Sequence, residues 1–323
     1  MESTDRWAET TAKKHRNWLL ICLFLIGLGL RLHGYDWGFP HHFHPDERQI
    51  VDFQTTQVRL DVLNPAVSIP LLVRGEWSEF RKKLDLLNTK FFAYGPLPMY
   101  TLAITVQSQD TFNKWVREYV SKGDFSKRTK HWVNTTFTRV DTGKGRIVTG
   151  RILSALLSAL TILVVFRLAK FLYNIKVASL AATLLTFTVL SIQQAHFMVV
   201  DGPQTFLVAL AMYYLVRVAM GDRRRDYYYA AVFIGLAMAT KFSTAPIALA
   251  YILAHFLSTS RGRRTGSRDW MHWIAGGLVA VAVMTIVMPF WIIDSREFFH
   301  DIEEQRNMVM GVADLPYTIQ FEG

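Results

Sequence analysis

The sequence predicts an all-α, polytopic membrane protein, and three observations carry that prediction. Of 323 residues, 51% are apolar and 13% aromatic, and the mean hydropathy is positive. Such a balance is too oily for an ordinary soluble domain. Several stretches hold almost no charge; residues 177–200 hold none and exceed the ~20 residues that a spanning helix needs. The basic residues gather in short runs between such stretches: Lys13-Lys14-His15-Arg16, Arg223-Arg224-Arg225 and Arg261-Gly262-Arg263-Arg264. That is the pattern of cytoplasmic loops. The net charge of +10 therefore reflects loop placement and not a nucleic-acid surface. The single cysteine, Cys22, lies in the first apolar stretch, so no disulfide framework is expected.

Residues 1–16 read as a cytoplasmic tail and 17–34 as the first transmembrane helix. The run Gly27-Leu28-Gly29-Leu30-Arg31-Leu32-His33 offers no small-x-small cleavage site, which favours an uncleaved anchor over a signal peptide. Residues 35–149 form a long first extracytoplasmic loop. Six further spans are expected within 150–293: 151–166, 177–200, 202–220, 227–240, 242–257 and 270–293. Arg167, Lys170 and Arg217 are placed to snorkel at inner ends. With the amino terminus inside, the loops 167–176, 221–226 and 260–268 fall on the cytoplasmic side, and all are basic. The short outer turns hold Asp201 and Lys241 and little other charge. Residues 294–323 are expected to be an extracytoplasmic segment at which the chain is truncated.

Within the long loop, Phe91-Phe92-Ala93-Tyr94-Gly95-Pro96-Leu97-Pro98-Met99-Tyr100 leads into an apolar run, 101–106, too short to span. It reads as a helix at the outer interface; as a further span it would invert every later loop, against the basic clusters. Residues 107–144 read as a polar insertion, helical around 112–120.

In this topology Asp46, Glu47, Arg48, Arg151, Asp201 and Lys241 all arrive at one outer face. Any one of them could be an ordinary interfacial residue. As a set they are costly, and snorkelling accounts poorly for Asp201. A sugar carried on a lipid phosphate and presented at that face would suit them. Its phosphate is already a good leaving group and needs cations to hold it. The acceptor needs a carboxylate to take its proton, and inversion follows if that carboxylate works from the face opposite the phosphate. Asp46 supplies a base, Arg48, Arg151 and Lys241 supply cations, and Asp201 shares the acceptor or tunes Asp46.

The residues also show a family resemblance. Arg31 to Arg48 resembles the start of the polyprenyl-phosphate-dependent glycosyltransferases of the GT-C fold, in the branch of the protein O-mannosyltransferases and lipid A aminoarabinose transferases. Five landmarks follow that branch in order: Asp46-Glu47, Tyr94-Gly95-Pro96-Leu97, Arg151-Ile152-Leu153-Ser154-Ala155, Asp201-Gly202-Pro203, and Gly235-Leu236-Ala237 through Thr240-Lys241. The resemblance implies a GT-C-like helical bundle and an integral protein of the inner or plasma membrane with an extracytoplasmic active site. It implies Asp46 as catalytic base with Glu47 in support, and Arg48, Arg151 and Lys241 near the carrier phosphate. The partners implied are a polyprenyl-phosphate-linked sugar and the bilayer, with sugar and acceptor open, and the transferred unit a hexose or a pentose. Two departures stand out. Gly95 occupies the position where the aminoarabinose enzymes carry a lysine, leaving Lys90 as a substitute. The loop arginine follows Glu47 directly instead of one residue later. Seven spans are fewer than such enzymes usually have, so an amino-terminal portion is expected, which would be inactive if the chain is a fragment.

Two rivals remain. His41, His42 and His44 beside Asp46 and Glu47 could suggest a divalent metal, but their spacing lacks a helical ligand pattern, and no cofactor is expected. A transporter with Asp201 and Lys241 lining a polar path would tend to show internal repeats, and none is visible.

Overall fold

The computed structural model describes residues 18–38, 43–59, 64–221, 223–262 and 266–312, except for the side chain of Ser267. Every regular element among them is helical. The first, α1 (Trp18–Leu32), is followed by α2 (Pro45–Arg48), which continues through a π-helical turn, Gln49–Gln54, to Gln57. A proline at its first position and the His44 ring, whose Nδ1 accepts the Asp46 amide at 3.3 Å, start α2. Next come α3 (Pro65–Val73), α4 (Trp77–Asp85), α5 (Leu97–Lys122) and α6 (Lys127–Thr136). The apolar run 101–106 is thus the first part of a 26-residue helix. Residues 107–144 continue that helix, add α6 and open the next.

The membrane portion begins with α7 (Gly143–Leu172), capped by Thr142, and α8 (Ile175–Phe187), capped by Asn174. It continues with α9 (Val189–Ala195), α10 (Asp201–Met220), α11 (Arg225–Met238), α12 (Ile247–Ser260) and α13 (Ser267–Val287). The short α14 (Phe290–Ile293) leads into α15 (Ser295–Val309). Among the described residues four helices are long and apolar enough to cross a membrane, or five if the bent pair α8–α9 counts as one. The expected helices around 18–32 and 227–240 are present but shorter than a full span.

The charge-free stretch 177–200 is not one helix. It bends by 54° at Thr188 and ends at Ala195. The hydroxyls of Thr183, Thr186 and Thr188 each bond the carbonyl four residues earlier, a habit that bends helices. The carbonyls of Leu185 and Thr186, at the break, accept from the Arg31 guanidinium on α1. A buried arginine thus replaces backbone donors where the helix interrupts.

Small residues let the spans approach closely, as is usual in a bilayer. Gly235 on α11 abuts the Ala280 carbonyl of α13, and Ala211, Ala230 and Ala254 line the seam of α10, α11 and α12. On the predicted cytoplasmic side Arg217 does not simply snorkel; it bonds the buried Asp226 at 3.1 Å and the Tyr213 hydroxyl at 3.0 Å. At the other end a second core gathers Ile50 and Val51, Met99 and Leu102, Met198 and Val200, Ala239, Met288 and Phe298. It binds the long loop to the helix ends that carry the candidate site.

Candidate active site

Glu47 and Arg151 form the centre of this end of the protein. Glu47 is wholly buried and the Arg151 side chain is 2% exposed. The guanidinium meets the carboxylate two-to-two, Nε to Oε1 at 2.8 Å and Nη2 to Oε2 at 2.7 Å. Its Nη1 donates to the carbonyls of Tyr35 and Trp37, and the Met198 amide donates to Glu47 Oε1 at 2.9 Å. The Phe197 ring lies 5.4 Å from the guanidinium and packs against His44 and Trp37. One ion pair therefore ties together the end of α1, the start of α2, α7 and the turn before α10.

The neighbours of Glu47 stand differently. Asp46 is half-buried and Arg48 exposed. Among the described residues neither side chain has an ion pair or hydrogen bond, whether to the Asp201–Lys241 pair or elsewhere. The helical turn explains the split, because successive residues point about 100° apart. Burying Glu47 leaves Asp46 and Arg48 on other faces.

Asp201 and Lys241 do meet, Nζ to Oδ1 at 3.1 Å, with side chains 46% and 29% exposed. Asp201 opens α10, three residues after Met198. Lys241 follows α11, and its position is set by the long loop. The Gly95 amide donates to the Thr240 carbonyl at 2.9 Å, and the Leu97 amide to the Ala239 carbonyl at 3.2 Å. A Cβ at Gly95 would collide with the Ala239 carbonyl. This accounts for the glycine where a lysine was the family expectation: the backbone here is joined directly to the segment that presents Lys241.

Lys90, the suggested substitute, bonds Asp85 at 2.7 Å on the surface. Its residue sits at φ 55°, in a tight turn that lets the Asn88 side chain accept its amide. Behind it, the Asn88 side chain bonds Asp294 and the Phe92 amide donates to Asp301 at 2.6 Å, so α15 packs beneath the loop.

Of the three loop histidines, His41 and His42 lie outside the described residues, and His44 caps α2. A cluster that could hold a metal, Glu297, His300 and Asp301, lies on α15.

The sequence reasoning assigned no role to Arg31. It is fully buried on α1 and engages all five guanidinium N–H donors: Ser158 and Ser191 hydroxyls and the carbonyls of Gly27, Leu185 and Thr186. An arginine inside a run of leucines and glycines was the available signal. Phe197 and Met198 carried no such signal, since their part depends on the fold.

A protein-family model described as dolichyl-phosphate-mannose-protein mannosyltransferase matches residues 130–293, just over half of the chain. No curated protein and no solved structure matches.

Proposed function

Because the chain belongs to the dolichyl-phosphate-mannose-protein mannosyltransferase family, and so is a membrane glycosyltransferase of the GT-C type, we propose that it moves a sugar, hexose or pentose, from a polyprenyl-phosphate carrier to an acceptor at the extracytoplasmic face, with inversion. The observation that supports this best is the contrast between adjacent carboxylates. Glu47 is locked by Arg151, while Asp46 beside it is half-buried and without a partner among the described residues.

In this proposal Asp46 accepts the proton of the acceptor hydroxyl or amide as that atom bonds the anomeric carbon. The bond from that carbon to the phosphate oxygen breaks on the opposite face, and the carrier leaves as its phosphate. Arg48 and Lys241 face the growing charge on that phosphate. Asp201 holds Lys241 and orients the acceptor. Arg151, named by the resemblance as a phosphate contact, is proposed instead as a positioning residue: with Glu47 it fixes the turn that presents Asp46. No step requires a metal, since the phosphate leaves without a Lewis acid when lysine and arginine are at hand. The amino terminus is cytoplasmic and the membrane is the inner or plasma membrane.

The full chain in lipid nanodiscs, given a radiolabelled polyprenyl-phosphate sugar, is expected to transfer label to an acceptor fraction, with and without EDTA. Asp46→Asn should reduce transfer at least 100-fold, the lower range for loss of a general base, while unfolding at the wild-type temperature. Normal transfer by that variant removes Asp46 from the mechanism.

A further inference from the structure

Past the end of α1 the chain reads Gly34-Tyr35-Asp36-Trp37-Gly38, a carboxylate between two aromatics with a glycine on either side. Both glycines take positive φ, 77° and 86°, so the segment leaves the helix by a left-handed turn and closes with another. Within it the Trp37 amide donates to the Gly34 carbonyl at 2.9 Å. The carbonyls of Tyr35 and Trp37 accept from Arg151 Nη1 at 2.7 and 2.8 Å. This strap is therefore fastened, through its backbone, to the guanidinium that locks Glu47. Its side chains stay outside. Trp37 is 59% exposed, and Asp36 is exposed with no ion pair or hydrogen bond among the described residues.

Aromatic residues beyond a membrane helix commonly anchor in the headgroup layer. Trp37 is mounted otherwise. Its ring meets the buried Phe197 ring at 6.0 Å and 81°. Phe197 in turn lies over Arg151 and packs against His44, whose Nδ1 accepts the Asp46 amide. Phe43, also largely exposed, stands 5.4 Å from Trp37 at 45°, so the two rings make an open angle. A ring held by its backbone and by an aromatic neighbour loses little further freedom when a ligand packs on it. An exposed, rigid aromatic face beside an unpartnered carboxylate suits a sugar: the C–H face of the sugar lies on the ring, and its hydroxyls donate to the carboxylate.

We infer that Trp37, with Phe43 and Asp36, receives the sugar ring of the lipid-linked donor: Trp37 stacks on the ring, and Asp36 accepts its hydroxyls. The strap hangs on the same ion pair that fixes the turn of Asp46, so sugar and base share one rigid frame, as a displacement at the anomeric carbon needs. The transferred sugar must come within one acceptor atom of Asp46 in every cycle, whatever the acceptor is. The acceptor itself need bring only a hydroxyl or an amide. This inference rests on the lipid-phosphate reading above and adds to it the contacts that select the sugar.

The test measures equilibrium binding to the full chain in nanodiscs, without acceptor and in an Asp46→Asn background so that turnover does not interfere. The probes are polyprenyl phosphate bearing mannose, the same lipid bearing arabinose, and the lipid without sugar. Trp37→Ala should weaken binding of the preferred sugar-bearing lipid roughly tenfold, the size of a lost stacking face. Asp36→Ala should weaken it by a similar factor, for a hydrogen bond to a charged group. Neither should change the affinity for the lipid without sugar. Trp37→Phe should recover most of the loss. Trp37→Ala should unfold at the wild-type temperature, because Arg151 holds the backbone of this residue and not its ring. Equal weakening of all three lipids puts the ring against the lipid chain or the headgroups and overturns the inference. Unchanged binding of all three, with a raised KM for the acceptor when Asp46 is intact, makes Trp37 an acceptor contact and overturns it too. Binding of none of the lipids by the chain with Asp46 intact overturns the lipid-phosphate reading itself. Normal transfer by Asp46→Asn, with Trp37→Ala still separating the lipids, overturns the base and leaves the sugar contacts standing.

Discussion

Removing Arg151 tests the central ion pair. In Arg151→Leu the Glu47 carboxylate, wholly buried, keeps only the Met198 amide as a donor. Stranding one member of a buried pair costs about 3–5 kcal/mol. The carbonyls of Tyr35 and Trp37 lose donors too, but both residues are well exposed, so water can replace those bonds and the total should stay within that range. The double variant Glu47→Leu/Arg151→Leu removes both charges and should recover part of the loss. A coupling energy of about 2 kcal/mol or more is therefore expected, within the span seen for residues in contact. Equilibrium unfolding in mixed detergent micelles measures all three variants. Sugar transfer should fall with the single variant as well, by roughly 100-fold, since a displacement of about 1 Å at a reacting group has that effect. Additive single variants, or an Arg151→Leu protein that loses less than about 1 kcal/mol, would refute a structural clamp and return Arg151 to the role of a free cation.

Two further predictions concern the Lys241 side. Gly95→Ala forces a Cβ onto the Ala239 carbonyl and should destabilise the fold by about 1–3 kcal/mol, as overpacking does, with a larger loss of transfer than of stability because Lys241 is displaced; a denaturation series alongside transfer rates separates the two. Lys241→Met breaks a partly exposed pair, so stability should change by less than about 1 kcal/mol, while the KM for the carrier rises; unchanged kinetics would show that Lys241 serves only Asp201.

Much of the fold was legible because a membrane helix announces itself by composition. Apolar length marked α7, α10, α12 and α13. The stretch 177–200 misled for a physical reason: hydropathy counts side chains, whereas the bend at Thr188 arises from threonine back-bonding and from an arginine on another helix. The long loop was legible only in fragments. Its helices are marked by polar caps such as Ser126 and Thr142, which resemble loop residues until the hydrogen bonds are known. Of the site, Asp46, Glu47, Asp201 and Lys241 were visible as charges placed where charge is costly. Their pairing was not, because contact between positions 47 and 151 is a property of packing. The Gly95 departure shows the difference well: in sequence it is a missing lysine, in space it is a backbone junction with Ala239 and Thr240.

Arg31 and Arg151 are two answers to one problem. Both are buried to 2% or less, both lie on apolar helices, and both donate to backbone carbonyls near a helix break or end. Arg151 is balanced within the protein by Glu47, so its site is electrically closed and fit to hold a turn rigid. Arg31 has no carboxylate partner among the described residues; its five N–H donors go instead to three carbonyls and two hydroxyls. The first is a neutral clamp that holds a turn; the second ties α1 and α7 to the break between α8 and α9. The first suits the positioning of a base.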